Sequence, residues 1–196
     1  MKRTYRNIAI LGLGALVLAV FAVSPVFAQE AGEAVSDAVA SIPDGSINLG
    51  IALAILGAAL ATFGGGFGSS VGVGVSGEVG NGVLSEDEKK FGSVLLLQAL
   101  PATQGIYGLL IAFIILGKLN ASLSVADGLG IMFAALPITI TGLISGIWQG
   151  KVSAASMQLI ARKPKQMGQA MILPAMVETF AVFGLLISIL LLGEIG

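Results

Sequence analysis

Small side chains return at every fourth position along two long apolar stretches of this chain. Gly64, Gly68, Gly72 and Ser76 form the first series, and Gly142, Gly146, Gly150 and Ala154 form the second, 78 residues later. Residues i and i+4 share a helical face, so each series is a flat stripe along which another helix backbone can approach closely. Within lipid, where apolar burial drives no association, such stripes are what lets helices pack. Two further apolar stretches align with each other without a gap, 76 residues apart. Gly92 meets Gly168, Leu97 meets Leu173, Thr103 meets Thr179, and Tyr107-Gly108-Leu109-Leu110-Ile111 meets Phe183-Gly184-Leu185-Leu186-Ile187. A helical hairpin is therefore written twice, as residues 47–118 and 125–196. Both copies run in the same sense, unlike the inverted repeats of many secondary transporters. Each hairpin pairs one slim helix with one bulkier helix. Wedges of that shape fit side by side around a closed ring, slim helices inside.

The surroundings of these helices are lipid. The 196 residues are 56% hydrophobic and only 11% charged, against about 25% charged in an average soluble domain, and mean hydropathy is +0.97. Apolar segments near 48–77, 91–117, 128–160 and 169–193 are each long enough for a crossing, which takes about 20 residues. The fold class expected is an all-α membrane protein with four transmembrane helices. A net charge of −1 gives no electrostatic footprint for nucleic acid. With no cysteine and no histidine, disulfides, thiolate nucleophiles, ordinary zinc sites and a histidine triad are excluded. No nucleotide-binding motif is present, so no catalytic residue is assigned and this chain is not expected to hydrolyse ATP itself.

The first 28 residues read as a cleavable secretory signal: Lys2, Arg3 and Arg6, an apolar core from Ile8 to Val23, and Val26-Phe27-Ala28 before Gln29. The alternative is an uncleaved fifth helix. Residues 29–46, with Glu30, Glu33, Asp37 and Asp44 and the breakers Pro43 and Gly45, read as an extracytoplasmic linker. Basic loops stay in the cytoplasm. Arg162, Lys163 and Lys165 therefore place the 161–168 connector inside, and with it the 78–90 connector. The 118–127 connector and the C-terminus then lie outside.

One carboxylate interrupts the last apolar run: Glu178, between Met171 and Gly193. At mid-membrane an ionised side chain costs about 2.5–3.5 kcal/mol or more, and such residues mark ion and proton paths. The plainer reading is a protonated carboxyl bonded to a neighbouring helix. In the gapless alignment its counterpart is Ala102, so the first hairpin lacks the acid, yet the residues around that position are polar. Leu100, Thr103, Gln104 and Tyr107 share one helical face. Pro101 interrupts that helix and frees a carbonyl. Gln149 stands beside the Gly146/Gly150 stripe. Oxygen donors suit hard cations, and one carboxylate matches a single positive charge. Interhelical glue is the competing account, since Thr and Gln bond across membrane helices for about 1–2 kcal/mol or less each.

At these positions the chain resembles the proteolipid, or subunit K, of V-type rotary ATPases and ATP synthases, whose members fuse two copies of the hairpin. The likeness rests on Leu97-Gln98-Ala99-Leu100-Pro101-Ala102-Thr103-Gln104-Gly105-Ile106-Tyr107-Gly108, on Ser145-Gly146-Ile147-Trp148-Gln149-Gly150-Lys151-Val152 and on Met176-Val177-Glu178-Thr179, within a match over about residues 47–196. The resemblance implies a homo-oligomeric rotor ring in the membrane lipid. It also implies a central stalk, a soluble ATPase head and a membrane stator subunit bearing an arginine. For a sodium-carrying member it further implies a Na+ site at the Leu100 carbonyl, Thr103, Gln104, Gln149 and Glu178, with Tyr107 hydrogen-bonding Glu178. Protons are the alternative cargo, and no cofactor is expected. A stand-alone cation channel or carrier and a purely structural tetraspan protein are the rival readings. Co-purification with large soluble ATPase subunits separates them.

Overall fold

The computed structural model describes residues 48–195 and, ahead of them, only Gln29, Glu33 and Ser36. The signal at 1–28 and most of the 29–46 linker lie outside the described residues. Among those described, all regular structure is helical.

Helix α1 (Leu49–Glu86) starts at Asn48, whose side-chain oxygen accepts the amides of Gly50 at 3.0 Å and Ile51 at 3.3 Å. These are two of the donors that a helix N-terminus leaves unpaired. A turn of 3-10 helix at Glu88–Lys90 leads to α2 (Phe91–Ala99), a second such turn at Leu100–Ala102 and then α3 (Thr103–Leu116). Pro101 lies in that second turn, and it divides one membrane crossing into α2 and α3. Helix α4 (Val125–Arg162) is capped by Ser124, which accepts the Asp127 amide at 3.1 Å. Asp127 places a negative charge in the first turn, where the helix dipole favours it. Helix α5 (Met167–Gly193) closes the chain and continues through Pro174.

Four helical stretches are long and apolar enough to cross a membrane: Leu49–Glu86, Glu88–Leu116, Val125–Arg162 and Pro164–Gly193. The two hairpins expected from the repeat are these four stretches taken in pairs. The helices overrun the expected segments. Helix α1 persists to Glu86, so the 78–90 connector contracts to Asp87–Lys90 and Glu78 is helical. No proline interrupts that stretch, and Gly80 is held between Val94 and Met157. Likewise the 161–168 connector contracts to Lys163–Gln166. At 38 residues, α1 and α4 are each about 57 Å long at 1.5 Å per residue, well beyond a hydrocarbon layer of about 30 Å.

The glycine stripes of α1 and α4 face each other. A methyl added to Gly64 would collide with the Thr139 backbone, one on Gly72 with Gly146, and one on Gly150 with Gly72. Helix α3 packs on α1 and α5 on α4, and α3 and α5 also touch. Two apolar clusters result. One gathers Ile51, Ala61, Ile111, Ile131, Ile138 and Leu192, the other Val94, Leu97, Met157 and Ile160. Between them lies a layer of glycine, serine and amide side chains. Large apolar residues such as Phe63, Ile106, Met176, Phe183 and Leu190 remain exposed on the outside, as in a protein whose solvent is lipid. Lysines tie the ends. Lys90 donates to the Ala161 carbonyl at 2.8 Å and Lys118 to the Ile195 carbonyl at 2.6 Å.

Candidate functional site

The Pro101 turn is the local cause of the site. Where the helix restarts at Thr103, its first amides lack intrahelical partners. Ser69 of α1 takes one of them, its Oγ accepting the Gly105 N–H at 2.8 Å. The Leu100 carbonyl, left at the end of the broken segment, accepts from Thr103 Oγ1 at 3.0 Å. The same hydroxyl lies 3.4 Å from Gln104 Oε1.

From there the contacts cross to the other hairpin. Gln104 Nε2 donates to Gln149 Oε1 at 2.5 Å, and Gln149 Nε2 donates to Glu178 Oε2 at 3.3 Å. Tyr107 OH donates to Glu178 Oε1 at 2.6 Å, back across from α3 to α5. Every residue singled out from the sequence, Leu100, Thr103, Gln104, Tyr107, Gln149 and Glu178, thus lies on one continuous chain of contacts. Both glutamines are fully buried and Glu178 is partly so. Close approach of α1 to α3 and α4 makes this possible: a side chain on Gly65 would collide with the Gln104 backbone, and one on Gly142 would press on Gly65.

Six oxygens from five residues take part in these contacts: the Leu100 carbonyl, Thr103 Oγ1, the two glutamine Oε1 atoms and both Glu178 oxygens. No cation of the protein pairs with Glu178 among the described residues. No cluster of three or more His, Cys, Asp or Glu side chains occurs among them either. The donor set is therefore hard and singly charged, chemistry that takes a monovalent cation or a proton.

Two serines that sequence patterning does not single out accept backbone amides near prolines of neighbouring helices. Besides Ser69, Ser188 of α5 accepts the Ile138 amide at 3.2 Å. That amide follows Pro137, which sits inside α4 and disturbs its hydrogen-bond ladder. The only signal for either serine is its proximity to a proline in a neighbouring helix, which the sequence does not display.

Known proteins are similar to this chain in sequence. The family described as the C subunit of ATP synthase matches residues 56–115 and again 132–191. The V-type sodium ATPase subunit K of Enterococcus hirae is 48% identical over 144 residues, 74% of this chain and 92% of that protein. The A-type ATP synthase subunit K of Methanocaldococcus jannaschii is 43% identical over 141 residues, 71% of this chain; the chain spans 61% of that relative's length. A hairpin present twice, matched twice by one family over most of its helical length, settles membership: the chain belongs to the family of ATP synthase C subunits, as a multi-pass membrane protein with two tandem copies of the family's hairpin.

Proposed function

We propose that this chain is the non-catalytic rotor-ring subunit of a V-type rotary ATPase or ATP synthase and that it carries Na+ at Glu178. One observation bears most of the weight. A proton site needs only a carboxyl in an apolar setting, yet here Glu178 is joined to Gln149, Gln104, Thr103 and the Leu100 carbonyl by unbroken contacts. Those oxygens exceed what a proton requires and suit a dehydrated sodium ion. The relative from E. hirae, named as a sodium ATPase subunit, supports the same ion. In this reading Glu178 is deprotonated when sodium is bound, and the bound ion neutralises it while it passes the lipid, since a bare carboxylate in hydrocarbon is costly. Tyr107 holds one carboxylate oxygen in place.

The partners are further copies of the chain, a central stalk and soluble ATPase head, and a stator subunit whose arginine displaces the ion. The connectors Asp87–Lys90 and Lys163–Gln166, within the expected 78–90 and 161–168 segments, face the cytoplasm and the C-terminus lies outside, following the basic residues. Carbodiimide labelling tests the ion. The reagent attacks a protonated carboxyl, so sodium should slow the labelling of Glu178 at neutral and alkaline pH. Labelling indifferent to sodium across that range overturns the sodium assignment in favour of protons.

A further inference from the structure

Three serines of α4 stand apart from the other hydroxyls of the long helices. Thr62, Ser76, Thr139 and Thr141 each donate back to a carbonyl of their own helix at 2.8–3.0 Å, a common arrangement for a hydroxyl within a helix. Ser145, Ser153 and Ser156 are 4%, 0% and 3% exposed, and their Oγ atoms have no hydrogen-bond partner. No other buried side-chain polar atom among the described residues lacks one. An unpaired buried hydroxyl costs about 1–3 kcal/mol, so each calls for a partner.

Ser145 lies in the wall of an open groove with Thr141, Trp148 and Phe180, and its partner can come from outside. The other two face the interior. Gln149, Ser153, Ser156 and Ile160 recur at i, i+4, i+7 and i+11, which is one face of α4. That face starts at Gln149, bonded to Gln104 of α3 and Glu178 of α5. It ends at Ile160, which packs in one cluster with Leu97 of α2 and Ala170 of α5. The hydroxyls between them therefore look into the seam of α2, α4 and α5.

That seam also holds acceptors. A proline supplies no amide to the carbonyl four residues before it. Pro101 thus offers none to Leu97, and Pro174 none to Ala170, and both of those residues are fully buried in the same cluster. Buried waters take such places, each making about three hydrogen bonds to groups otherwise unsatisfied. The other half of the molecule has no equivalent. Its cluster around Ile51, Ile111, Ala135 and Ile138 holds no unpartnered buried side-chain polar atom among the described residues, and Ser188 beside it accepts the Ile138 amide.

We propose that Ser153 and Ser156, with the Leu97 and Ala170 carbonyls, hold a short file of water inside each copy. From Gln149 to Ser156 it covers about 10 Å toward the α4 C-terminus, at 1.5 Å per residue. The file hydrates the cation or proton as it moves between Glu178 and that end. Its role rests on the ion-carrying reading above, whereas its existence does not.

The chain has no cysteine, and Ser→Cys is nearly isosteric. Silver ion, close to sodium in size and equal in charge, then reports on the file. Ser153→Cys, Ser156→Cys and, as a control from the other half, Ala135→Cys are placed one at a time in the intact complex in membranes. Silver is added without ATP, and the thiols left free are alkylated after denaturation and counted from the mass of this chain. Silver should protect Ser153→Cys and Ser156→Cys in all copies and leave Ala135→Cys alkylated. No protection in an assembled ring overturns the proposal, and so does equal protection of Ala135→Cys. Protection of only a few copies also overturns it, because a resting rotor presents few copies to a stator and the path would be the stator's. Ser153→Ala combined with Ser156→Ala gives a readout that packing alone does not move. Exchange of bound radioactive sodium should slow about tenfold, the scale of one or two lost hydrogen bonds, while the sodium concentration that half-protects Glu178 from carbodiimide stays at the parent value. Exchange at the parent rate overturns the file. A parent protein whose labelling ignores sodium overturns the sodium reading instead, and leaves the silver result standing.

Discussion

Gln149 is the joint between the two hairpins, and Gln149→Leu measures what that joint contributes to ion binding. The amide donates to Glu178 at 3.3 Å and accepts from Gln104 at 2.5 Å, with both glutamines fully buried. Leucine keeps a similar volume and removes both contacts. Leaving the Gln104 amide unpaired costs about 1–3 kcal/mol, but that cost falls on the empty and occupied forms alike and cancels from affinity. What does not cancel is one oxygen donated to a desolvated charge, comparable to a hydrogen bond to a charged group at about 1.5–3 kcal/mol. At 1.4 kcal/mol per decade, the sodium concentration that half-protects Glu178 from carbodiimide should rise by about 10- to 150-fold. The assay is the rate of Glu178 labelling against sodium at fixed pH, in membranes containing variant or parent ring. If half-protection stays within about twofold of the parent while Glu178 still reacts, less than about 0.5 kcal/mol separates them. The amide would then be packing rather than a ligand, and the sodium reading would lose its main support.

Other expectations follow from the same geometry. Glu178→Gln keeps shape and loses charge, so ATP-driven transport in vesicles should vanish while the ring still assembles; transport near the parent rate would remove Glu178 from the path. Gly72→Val drives a side chain into the Gly146 backbone, and overpacking of about 1–3 kcal/mol or more should sharply lower the yield of assembled ring on native gels. The Val26-Phe27-Ala28 ending before Gln29 predicts cleavage after Ala28, and the intact mass of the purified subunit should lack residues 1–28.

The spans and the cluster of polar residues around Glu178 were readable from sequence for one reason: both depend on spacing within a helix. Leu100, Thr103, Gln104 and Tyr107 share a face by helical geometry alone, and a lone acid among apolar residues marks its own position. What spacing does not contain is contact between helices. Ser69 and Ser188 look like ordinary small packers until the amides exposed near Pro101 and Pro137 are set beside them. The alternate glycines of α1 hold two stripes, and only the packed structure shows which is used within the chain. The reach of α1 to Glu86 was hidden for a different reason. Apolar patterning fades where a helix leaves the lipid, while its backbone hydrogen bonds continue to the Asp87 cap.

Because Leu100, Thr103, Gln104 and Tyr107 come from the first hairpin and Gln149 and Glu178 from the second, one polypeptide supplies the entire constellation. On the sodium reading proposed above, a copy placed among others brings its own set of donors. On that reading a lesion in either half should empty only the molecule that bears it, and mixing damaged with intact copies should lower the number of ions held in proportion to the intact copies.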